Sequence, residues 1–386
     1  MSVPRLRIVQ IVETLALGGL EVMVLNLAIA HRKAGHFSAI YTVFEPGALE
    51  ADALAAGIPV VSFHKKKGFS AKAIMQITQR LRADRAQVVH THNSSIHHYG
   101  ALAGSLAGAA VVNTRHGFAL HSSSRQEIYF KTVLPLTRAV VFVCESARSY
   151  FANRGIAPDG KSWVIVNGIP VETFQAFRAT PGTRKPKVRF GTIGRLVKAK
   201  AHHDLVEAFG MIASELPDAE LEIWGYGALQ GELENQISVE KLADRVHYCG
   251  LASKPGEVLR NLDVFVLSSI SEGLPLVVME AMAAGLPIVS TRAGGIPEVA
   301  HGRGVWLAEP GNPASLAAAM RKAAASDLAA AGQAVYETAR QHFGIEIVQS
   351  SYEALYRTTL ERGRVGPLEL TIDYASTAGQ HTHADV

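Results

Sequence analysis

The chain reads Asp263-Val264-Phe265-Val266-Leu267-Ser268 and then Ser271-Glu272-Gly273-Leu274-Pro275-Leu276-Val277-Val278-Met279-Glu280-Ala281. The first run is short, β-branched and aromatic, which is typical of a buried strand. Pro275 suits the first turn of a helix, where a missing N–H costs nothing, and Gly285 with Pro287 ends that helix. A buried strand that leads through a loop into a helix is the building unit of an α/β fold.

Two carboxylates and a bare helix start fall within this segment. Glu272 lies just before the helix and Glu280 two turns into it. The backbone N–H groups of Gly273, Leu274 and Leu276 lie at the positive helix end, where they can bind hydroxyl or phosphate oxygens, and each carboxylate can accept two hydroxyl hydrogen bonds. The segment therefore predicts a site for a polyhydroxylated, anionic ligand. On spacing alone an alternative stays open, in which one glutamate complements the helix dipole and the other is a solvated charge.

Length and composition bound the class of protein. The 386 residues suffice for two domains with separate cores. No apolar run reaches the roughly 18 residues that span a bilayer. The first residues lead straight into a strand without a signal-peptide pattern, so we expect a cytoplasmic protein. The two cysteines, Cys144 and Cys249, fall in different predicted domains and suit a reducing compartment.

The small net charge of +4 hides an asymmetry. Residues 1–180 carry 19 Lys and Arg against 10 Asp and Glu, whereas the remainder carries 19 against 24. A basic first half favours an acidic partner or surface.

Apolar runs alternate with amphipathic ones along residues 1–172 and again along 188–343. Uniformly apolar strands separated by helices imply a parallel sheet covered on both faces. The polar, breaker-rich run 173–187 reads as a linker, 344–363 as a final amphipathic helix, and 364–386 as a disordered tail. The predicted fold is α/β, with two doubly wound domains whose ligands bind at the carboxyl ends of the strands, in a cleft between them.

Glycine-containing loops follow three further strands. Gly194-Arg195 with Lys200 places a guanidinium fork and a point charge where the chain turns closely, which matches a diphosphate. Gly225-Tyr226-Gly227 and Gly18-Gly19 also follow strands, but a solvated loop or a plain turn explains each of these motifs equally well when it is taken alone. The full Gly-x-Gly-x-x-Gly fingerprint is absent, which weakens a nicotinamide interpretation.

Several histidines stand at strand ends. The His90-Thr91-His92 pair lies on one strand face, yet no carboxylate or cysteine follows at ligand spacing, and no D-x-D pair for Mg²⁺ occurs. We therefore expect neither a metal nor another cofactor, so that cations of the protein would stabilise a leaving diphosphate. His116, followed by a glycine just past a strand, should face the cleft.

A basic segment begins at His64 and contains Lys65, Lys66 and Lys67, with Lys72 and Arg80 on the helix that follows. Such a segment can lie on an anionic membrane or hold an anionic acceptor, and an ordinary solvated helix is the alternative.

With these motifs in this order, the chain resembles the retaining glycosyltransferases of family 4. That family has the GT-B fold, in which two Rossmann-like domains face each other across a cleft and the last helix returns to the first domain. The resemblance covers about residues 7–360. It is carried by Gly18-Gly19-Leu20-Glu21, His116-Gly117, Gly194-Arg195 with Lys200, Gly225-Tyr226-Gly227 and the E-x7-E pair Glu272 and Glu280.

The resemblance implies roles for these residues. Arg195 and Lys200 would bind and stabilise the leaving diphosphate, Glu280 would hold the ribose hydroxyls, and Glu272 with the adjoining backbone would hold the donor sugar. The implied catalytic residues are Arg195, Lys200, Glu272 and His116, and the implied donor-binding residues are Gly18, Gly19, Gly194, Gly225, Gly273, Leu274, Pro275, Leu276 and Glu280.

One position departs from the family pattern. The family usually has glycine after the lysine, and here Ala201 follows Lys200. If the backbone φ there is positive, alanine is strained by roughly 1 kcal/mol. A different local loop would make Lys198 a rival of Lys200, although the Arg-x4-Lys spacing favours Lys200.

The expected function is retaining transfer of a sugar from a nucleotide-sugar donor to a hydroxyl of a lipid-linked or saccharide acceptor. The basic first half suggests work at the cytoplasmic face of the inner membrane, in envelope polysaccharide, lipopolysaccharide or exopolysaccharide biosynthesis, and no nucleic-acid partner is expected. Alternatives on the same fold are a nucleotide-sugar epimerase, a sugar phosphorylase and a non-catalytic partner subunit.

Overall fold

The structure is a computed structural model that describes residues 4–118, 124–177 and 188–361. It divides into two compact units. The first comprises Met1–Gly168 with Ile345–Val386, and the second comprises Ile169–Gly344.

Every paired strand runs parallel to its neighbours in the described part of the chain. The strands are β1 (Arg7–Val12), β2 (Phe37–Thr42), β3 (Val60–Ser62), β4 (Val88–His92), β5 (Ala110–Arg115), β6 (Ala139–Phe142), β7 (Ser162–Val164), β8 (Arg189–Ile193), β9 (Glu220–Trp224), β10 (Val246–Gly250), β11 (Val264–Leu267), β12 (Ile288–Thr291) and β13 (Val305–Ala308).

Helices connect these strands. They are α1 (Gly19–Lys33), α2 (Glu50–Ala55), α3 (Ala71–Ala83), α4 (His97–Ala107), α5 (Ser124–Val133), α6 (Glu145–Ala152), α7 (Val171–Gln175), α8 (His202–Ala213), α9 (Gln230–Val239), α10 (Pro255–Leu259), α11 (Leu276–Ala283), α12 (Ile296–Val299), α13 (Pro313–Ala324), α14 (Leu328–His342) and α15 (Ile345–Glu361).

In the first unit, the described strands form a seven-stranded sheet in the order β3-β2-β1-β4-β5-β6-β7. β1 and β4 are central, and all of their residues except Arg7 are buried, because both of their faces are covered by helices. Val9 pairs with Ala39 on one side and Val89 on the other, and all three side chains are buried.

The last helix, α15, belongs to the first unit and packs against α1 and β5. Tyr352 and Tyr356 lie one turn apart on its buried face, as the helical period predicts. The Tyr352 hydroxyl lies 3.0 Å from Thr114 Oγ1, and the Tyr356 hydroxyl lies 2.7 Å from His90 Nδ1. Apolar burial and these two hydrogen bonds together fix the helix on the sheet.

In the second unit, the described strands form a six-stranded sheet in the order β10-β9-β8-β11-β12-β13. Helix α8 packs against α13, and α11 packs against α14 and α7. The start of α13 shows how local sequence sets a boundary: Asn312 Oδ1 accepts from the Ser315 N–H at 2.9 Å, and Pro313 occupies the first helical position.

The predicted fold class is confirmed, since two parallel sheets are each covered by helices and the last helix lies on the first unit. The predicted domain limit at residue 172 is placed too late. The division falls after Gly168, and Val171–Gln175 forms a helix that packs in the second unit. Most of the predicted linker and all of the predicted tail lie outside the described residues.

Candidate functional site

The loops that follow β8 and β9 touch each other at the carboxyl edge of the second sheet. The Gly194 N–H donates to the Trp224 carbonyl at 2.9 Å, and the Leu196 N–H donates to the Tyr226 carbonyl at 2.8 Å. A Cβ on Gly225 would lie 1.8 Å from the Gly194 carbonyl oxygen, and the φ of Gly225 is 152°. Glycine is therefore required at 225 for the two loops to meet.

An ion pair joins the loop after β8 to the loop after β11. Lys200 Nζ donates to Glu272 Oε1 at 2.5 Å, and Ser269 Oγ donates to the same oxygen at 2.5 Å. The side chains of Lys200 and Glu272 are only 17% and 10% exposed. The two residues predicted to act on diphosphate and sugar thus hold each other in place.

Two backbone contacts fix the same pair of loops. The Ile270 N–H donates to the Ala199 carbonyl at 2.8 Å, and Ser268 Oγ donates to the Lys200 carbonyl at 2.8 Å. The position of Lys200 is thereby set by the main chain as well as by its ion pair.

Arg195 differs from Lys200 in being exposed and unpaired. Among the described residues none forms a hydrogen bond or an ion pair with its guanidinium. It lies five residues before Lys200 on the same loop, which therefore carries one cation paired with Glu272 and one that is uncommitted.

Helix α11 carries Glu280 into the interior of the second unit. The helix begins at Leu276, so Pro275 precedes the first turn instead of lying within it as predicted. Glu280 is 8% exposed, and burial raises the pKa of its carboxyl to about 7. No residue in the described part of the chain donates a hydrogen bond to that carboxylate. It can accept hydrogen bonds from a ligand diol.

A glycine turn that the sequence analysis missed supports the loop after β11. Gly294 has a φ of 57°, and a Cβ there would lie 1.9 Å from the Glu272 carbonyl oxygen. The Gly295 N–H donates to the Gly273 carbonyl at 2.9 Å. The Gly294-Gly295 pair, which follows a buried strand after only Arg292 and Ala293, is the signal that would have indicated this turn.

The remaining predicted site residues lie on the first unit. Gly18 is the extended residue before α1, with a φ of −154°, and Gly19 is the first residue of that helix. His116 directly follows β5. Because β1, β4 and β5 are adjacent parallel strands, the β1–α1 turn and His116 lie at the same edge of the first sheet.

His116 ends a chain of buried polar side chains across three strands. Gln10 Oε1 lies 2.7 Å from His92 Nε2, and His92 Nδ1 lies 2.9 Å from His116 Nε2. Burial lowers the pKa of His116 to about 4, and the interaction of its imidazole with the Asn167 side chain opposes this shift. His116 is therefore neutral at pH 7 and can act as a hydrogen-bond partner of a sugar hydroxyl but not as a cation.

Both nitrogens of His90 are also engaged. Nε2 lies 2.7 Å from Thr114 Oγ1, and Nδ1 bonds the Tyr356 hydroxyl. The His90-Thr91-His92 pair therefore forms part of a buried polar network. Burial lowers the pKa of every imidazole in this histidine cluster, which comprises His31, His90, His92 and His116. The absence of a metal requirement stays a prediction.

The basic segment combines lysines with an exposed aromatic ring. Lys65 Nζ lies 5.0 Å from the ring centre of Tyr99, and Phe69 is 72% exposed. Arg80 is committed to Asp84 at 2.9 Å. The exposed basic residues that remain here are Lys66, Lys67 and Lys72. No helix within the described ranges has both the length and the apolar character needed to cross a bilayer.

Two family models match the chain. The model described as "Glycosyltransferase Family 4" matches residues 17–173, and the model described as "Glycosyl transferases group 1" matches residues 187–326.

Curated relatives match shorter stretches. The chain is 28% identical over 257 residues to the phosphatidylinositol N-acetylglucosaminyltransferase GPI3 subunit of Saccharomyces cerevisiae, covering 63% of this chain and 56% of that protein. It is 30% identical over 245 residues to an Escherichia coli UDP-Gal:alpha-D-GlcNAc-diphosphoundecaprenol alpha-1,3-galactosyltransferase, covering 58% of this chain and 62% of that one. The aligned stretches thus span little more than half the length of these relatives.

Solved structures share the fold along almost the whole chain. A Rickettsia africae glycosyltransferase superposes with a TM-score of 0.80 at 19% identity, covering 93% of this chain and 99% of that chain. Anabaena HepE in complex with UDP and glucose gives a TM-score of 0.79 at 20% identity, covering 92% and 100%. The solved structures show that the fold is shared, and the two family models match both units, so the chain belongs to the glycosyltransferases that these models describe, those of family 4 and group 1.

Proposed function

We propose that this protein is a retaining glycosyltransferase that moves a sugar from a nucleotide-sugar donor to an acceptor hydroxyl. The observation that carries the proposal is the grouping of Arg195, the Lys200–Glu272 pair and Glu280 on loops and a helix of one sheet edge. An unpaired cation, a shared ion pair and a buried carboxylate offer partners for a diphosphate, a sugar and a ribose.

In the proposed reaction, the acceptor oxygen attacks the anomeric carbon on the face from which the diphosphate leaves. The bond from that carbon to the diphosphate oxygen breaks as the new glycosidic bond forms, and the acceptor proton passes to the departing diphosphate. Arg195 and Lys200 stabilise the negative charge that develops on that group, which is the kind of contribution that dominates many enzymatic rate enhancements. No step of the proposed reaction uses a metal ion.

The names of relatives support a nucleotide-sugar donor and a lipid-linked acceptor. The Escherichia coli relative is named for UDP-Gal and a diphosphoundecaprenol acceptor, and another relative is named for amylovoran biosynthesis in Erwinia amylovora. On the basis of these names, we propose that this chain acts in envelope polysaccharide, lipopolysaccharide or exopolysaccharide biosynthesis.

A donor panel tests the proposal. The full-length protein is incubated with nucleotide sugars and lipid-linked or saccharide acceptors, released nucleoside diphosphate is measured, and the anomeric configuration of the product is read by NMR. We expect acceptor-dependent release and a product that keeps the donor's configuration. An isomerised donor without acceptor would instead identify an epimerase, dependence on free phosphate a phosphorylase, and no turnover a non-catalytic subunit.

We also propose that the basic segment contacts an anionic membrane from the cytoplasmic side. Exposed Phe69 closely follows exposed Lys66 and Lys67 in the chain, and a combination of apolar and cationic side chains favours anionic bilayer surfaces. Flotation with anionic and neutral liposomes tests this. A Lys66→Ser/Lys67→Ser/Phe69→Ser variant should lose anionic-liposome binding, and equal binding of the wild type to both liposome types would contradict the proposal.

A further inference from the structure

The carboxylate of Glu272 receives its hydrogen bonds from described residues on one oxygen. Lys200 Nζ and Ser269 Oγ both donate to Oε1. Within the described part of the chain, no residue donates to the second oxygen, Oε2. Each oxygen of an ionised carboxylate can accept hydrogen bonds, so Oε2 is the one that a ligand hydroxyl can use.

The two donors to Oε1 differ in what they do when a donor substrate binds. In the proposed reaction Lys200 stabilises the diphosphate, and its bond to Glu272 weakens as its ammonium turns to that group. The Ser269 hydroxyl has a single proton, which it gives to Glu272. Ser269 is fully buried, which shields this bond from water. Ser269 can therefore keep Oε1 in place while Lys200 serves the diphosphate.

Ser269 is itself held by the neighbouring strand. It lies two residues after the end of β11, and its carbonyl accepts a hydrogen bond from Thr291 Oγ1 at 2.5 Å. Thr291 is the last residue of β12 and is only 2% exposed. β11 and β12 pair in parallel, so their carboxyl ends lie side by side. The main chain that carries the Ser269 hydroxyl is thus fixed from β12, by a side chain with a stiff χ1.

The adjacent serine shows how a hydroxyl that only holds the loops together behaves. Ser268 Oγ donates to a main-chain carbonyl, that of Lys200, at 2.8 Å. Ser269 donates instead to an ionised side chain, and hydrogen bonds to ionised groups are shorter and roughly twice as strong as those between neutral groups. The contact of Ser269 therefore fixes the carboxylate of Glu272 itself.

We propose that Ser269, held in turn by Thr291, is a positioning residue for sugar transfer. It keeps Oε1 of Glu272 fixed, so that Oε2 is presented to a hydroxyl of the donor sugar. Ser269 touches no substrate and acts through Glu272. This role rests on the proposed function, because it takes Glu272 as the residue that holds the sugar.

The test uses calorimetric dissociation constants of UDP-glucose and UDP for the full-length protein, expressed as the ratio of the first to the second. The ratio isolates the contribution of the sugar. Ser269→Ala should raise it by about 10-fold or more, since a hydrogen bond to a charged group is lost. The constant for UDP should stay within about twofold.

Ser290→Ala is the matched control, because Ser290 is also fully buried and its hydroxyl donates to a main-chain carbonyl in β12. The ratio should stay within about twofold in this variant. Thr291→Val, which keeps the side-chain shape and loses the bond to the Ser269 carbonyl, should raise the ratio about threefold or more. It carries the test if Ser269→Ala does not fold.

A double-mutant cycle separates positioning from a general structural effect. In a Glu272→Ala background there is no carboxylate to position, so adding Ser269→Ala should change the ratio by less than about twofold. An equal rise in the two backgrounds would show that Ser269 acts independently of Glu272 and would overturn the proposal.

The remaining outcomes distinguish this role from the proposed function. A raised ratio in Glu272→Ala with unchanged ratios in Ser269→Ala and Thr291→Val would overturn the positioning role and leave the function of Glu272 intact. An unchanged ratio in Glu272→Ala would refute the assignment of Glu272 to the sugar. A wild-type protein that binds neither ligand would refute the UDP-sugar donor site, and the role of Ser269 with it.

Discussion

Lowering the pH from 8 to 6 should weaken the binding of a nucleotide sugar, because Glu280 then takes up a proton. Burial raises the pKa of this carboxyl to about 7, so the group titrates within the physiological range. We propose that its ionised form accepts the hydroxyl hydrogen bonds of the ribose. A protonated carboxyl presents a donor in place of one acceptor, and it lacks the charge that strengthens these bonds.

The size of the effect follows from the pKa. The ionised fraction is about 90% at pH 8, about 50% at pH 7 and about 10% at pH 6. If only the ionised form binds, the apparent dissociation constant rises about 10-fold between pH 8 and pH 6, which is about 1.4 kcal/mol. Binding at pH 6 should also release close to one proton per molecule of ligand, since the carboxyl must ionise to bind.

Isothermal titration calorimetry with UDP-glucose measures both quantities, the proton count coming from buffers of different ionisation enthalpy. A nucleotide sugar is preferred to a free nucleoside diphosphate because its phosphates do not titrate between pH 6 and pH 8. Glu280→Gln is the matched control, since glutamine has nearly the same shape and cannot ionise. A dissociation constant that stays constant in the wild type, or that changes equally in Glu280→Gln, would refute the assignment of Glu280 to the ribose.

Three further predictions concern the loop after β8 and the first unit. Arg195→Ala and Lys200→Ala should each lower turnover by about 100-fold or more, and near-normal turnover in both would exclude their role at the diphosphate. Ala201→Gly should be almost neutral in urea unfolding. Relief of the positive φ of 46° contributes about 1–2 kcal/mol, while the loss of a buried methyl costs about 0.8 kcal/mol and added chain entropy costs about 0.5–1 kcal/mol. Ala208→Gly in α8 loses the same methyl without that relief and should destabilise by about 1.3–1.8 kcal/mol; equal losses in the two variants would contradict strain at 201. Acid should destabilise the first unit through the histidine cluster. The histidines of the cluster have folded pKa values below the unfolded value near 6.5, so their burial costs no free energy of unfolding above pH 6.5. Below pH 6.5, the free energy of unfolding falls by about 1.4 kcal/mol per histidine and pH unit. Denaturant midpoints measured at pH 7 and pH 5.5 would reveal this loss.

Much of the fold followed from local sequence pattern. The alternation of apolar and amphipathic runs that the sequence shows along residues 1–172 and 188–343 corresponds to alternating strands and helices in the structure. Central strands of a doubly covered parallel sheet are apolar on both faces, and surface helices repeat their apolar residues every three to four positions, so both patterns can be read along the chain. The domain limit was placed too late because helix α7 is short. Contacts with α11, which the local sequence does not show, assign α7 to the second unit.

The charged and glycine residues of the site were also recognisable in sequence, as motifs at strand ends. The sequence did not show which of the charged residues pair with each other. Lys200 and Glu272 are 72 residues apart in the chain, and only the parallel arrangement of β8 and β11 brings them within hydrogen-bonding distance. The raised pKa of Glu280 could not be predicted from the sequence either, because it results from burial by neighbours that lie in distant segments of the chain.

The sequence thus determined which side chains stand at the carboxyl ends of the strands, because strand ends and glycine turns are local features. The Arg-x4-Lys spacing favoured Lys200 over Lys198, but it did not show what either lysine of the 3-10 turn Lys198–Lys200 contacts. The tertiary structure pairs Lys200 with Glu272 and places Lys198 on the wall of a pocket that α8 and α9 line. Two residues of one tight turn face different directions, and what each of them contacts depends on the elements packed around the turn.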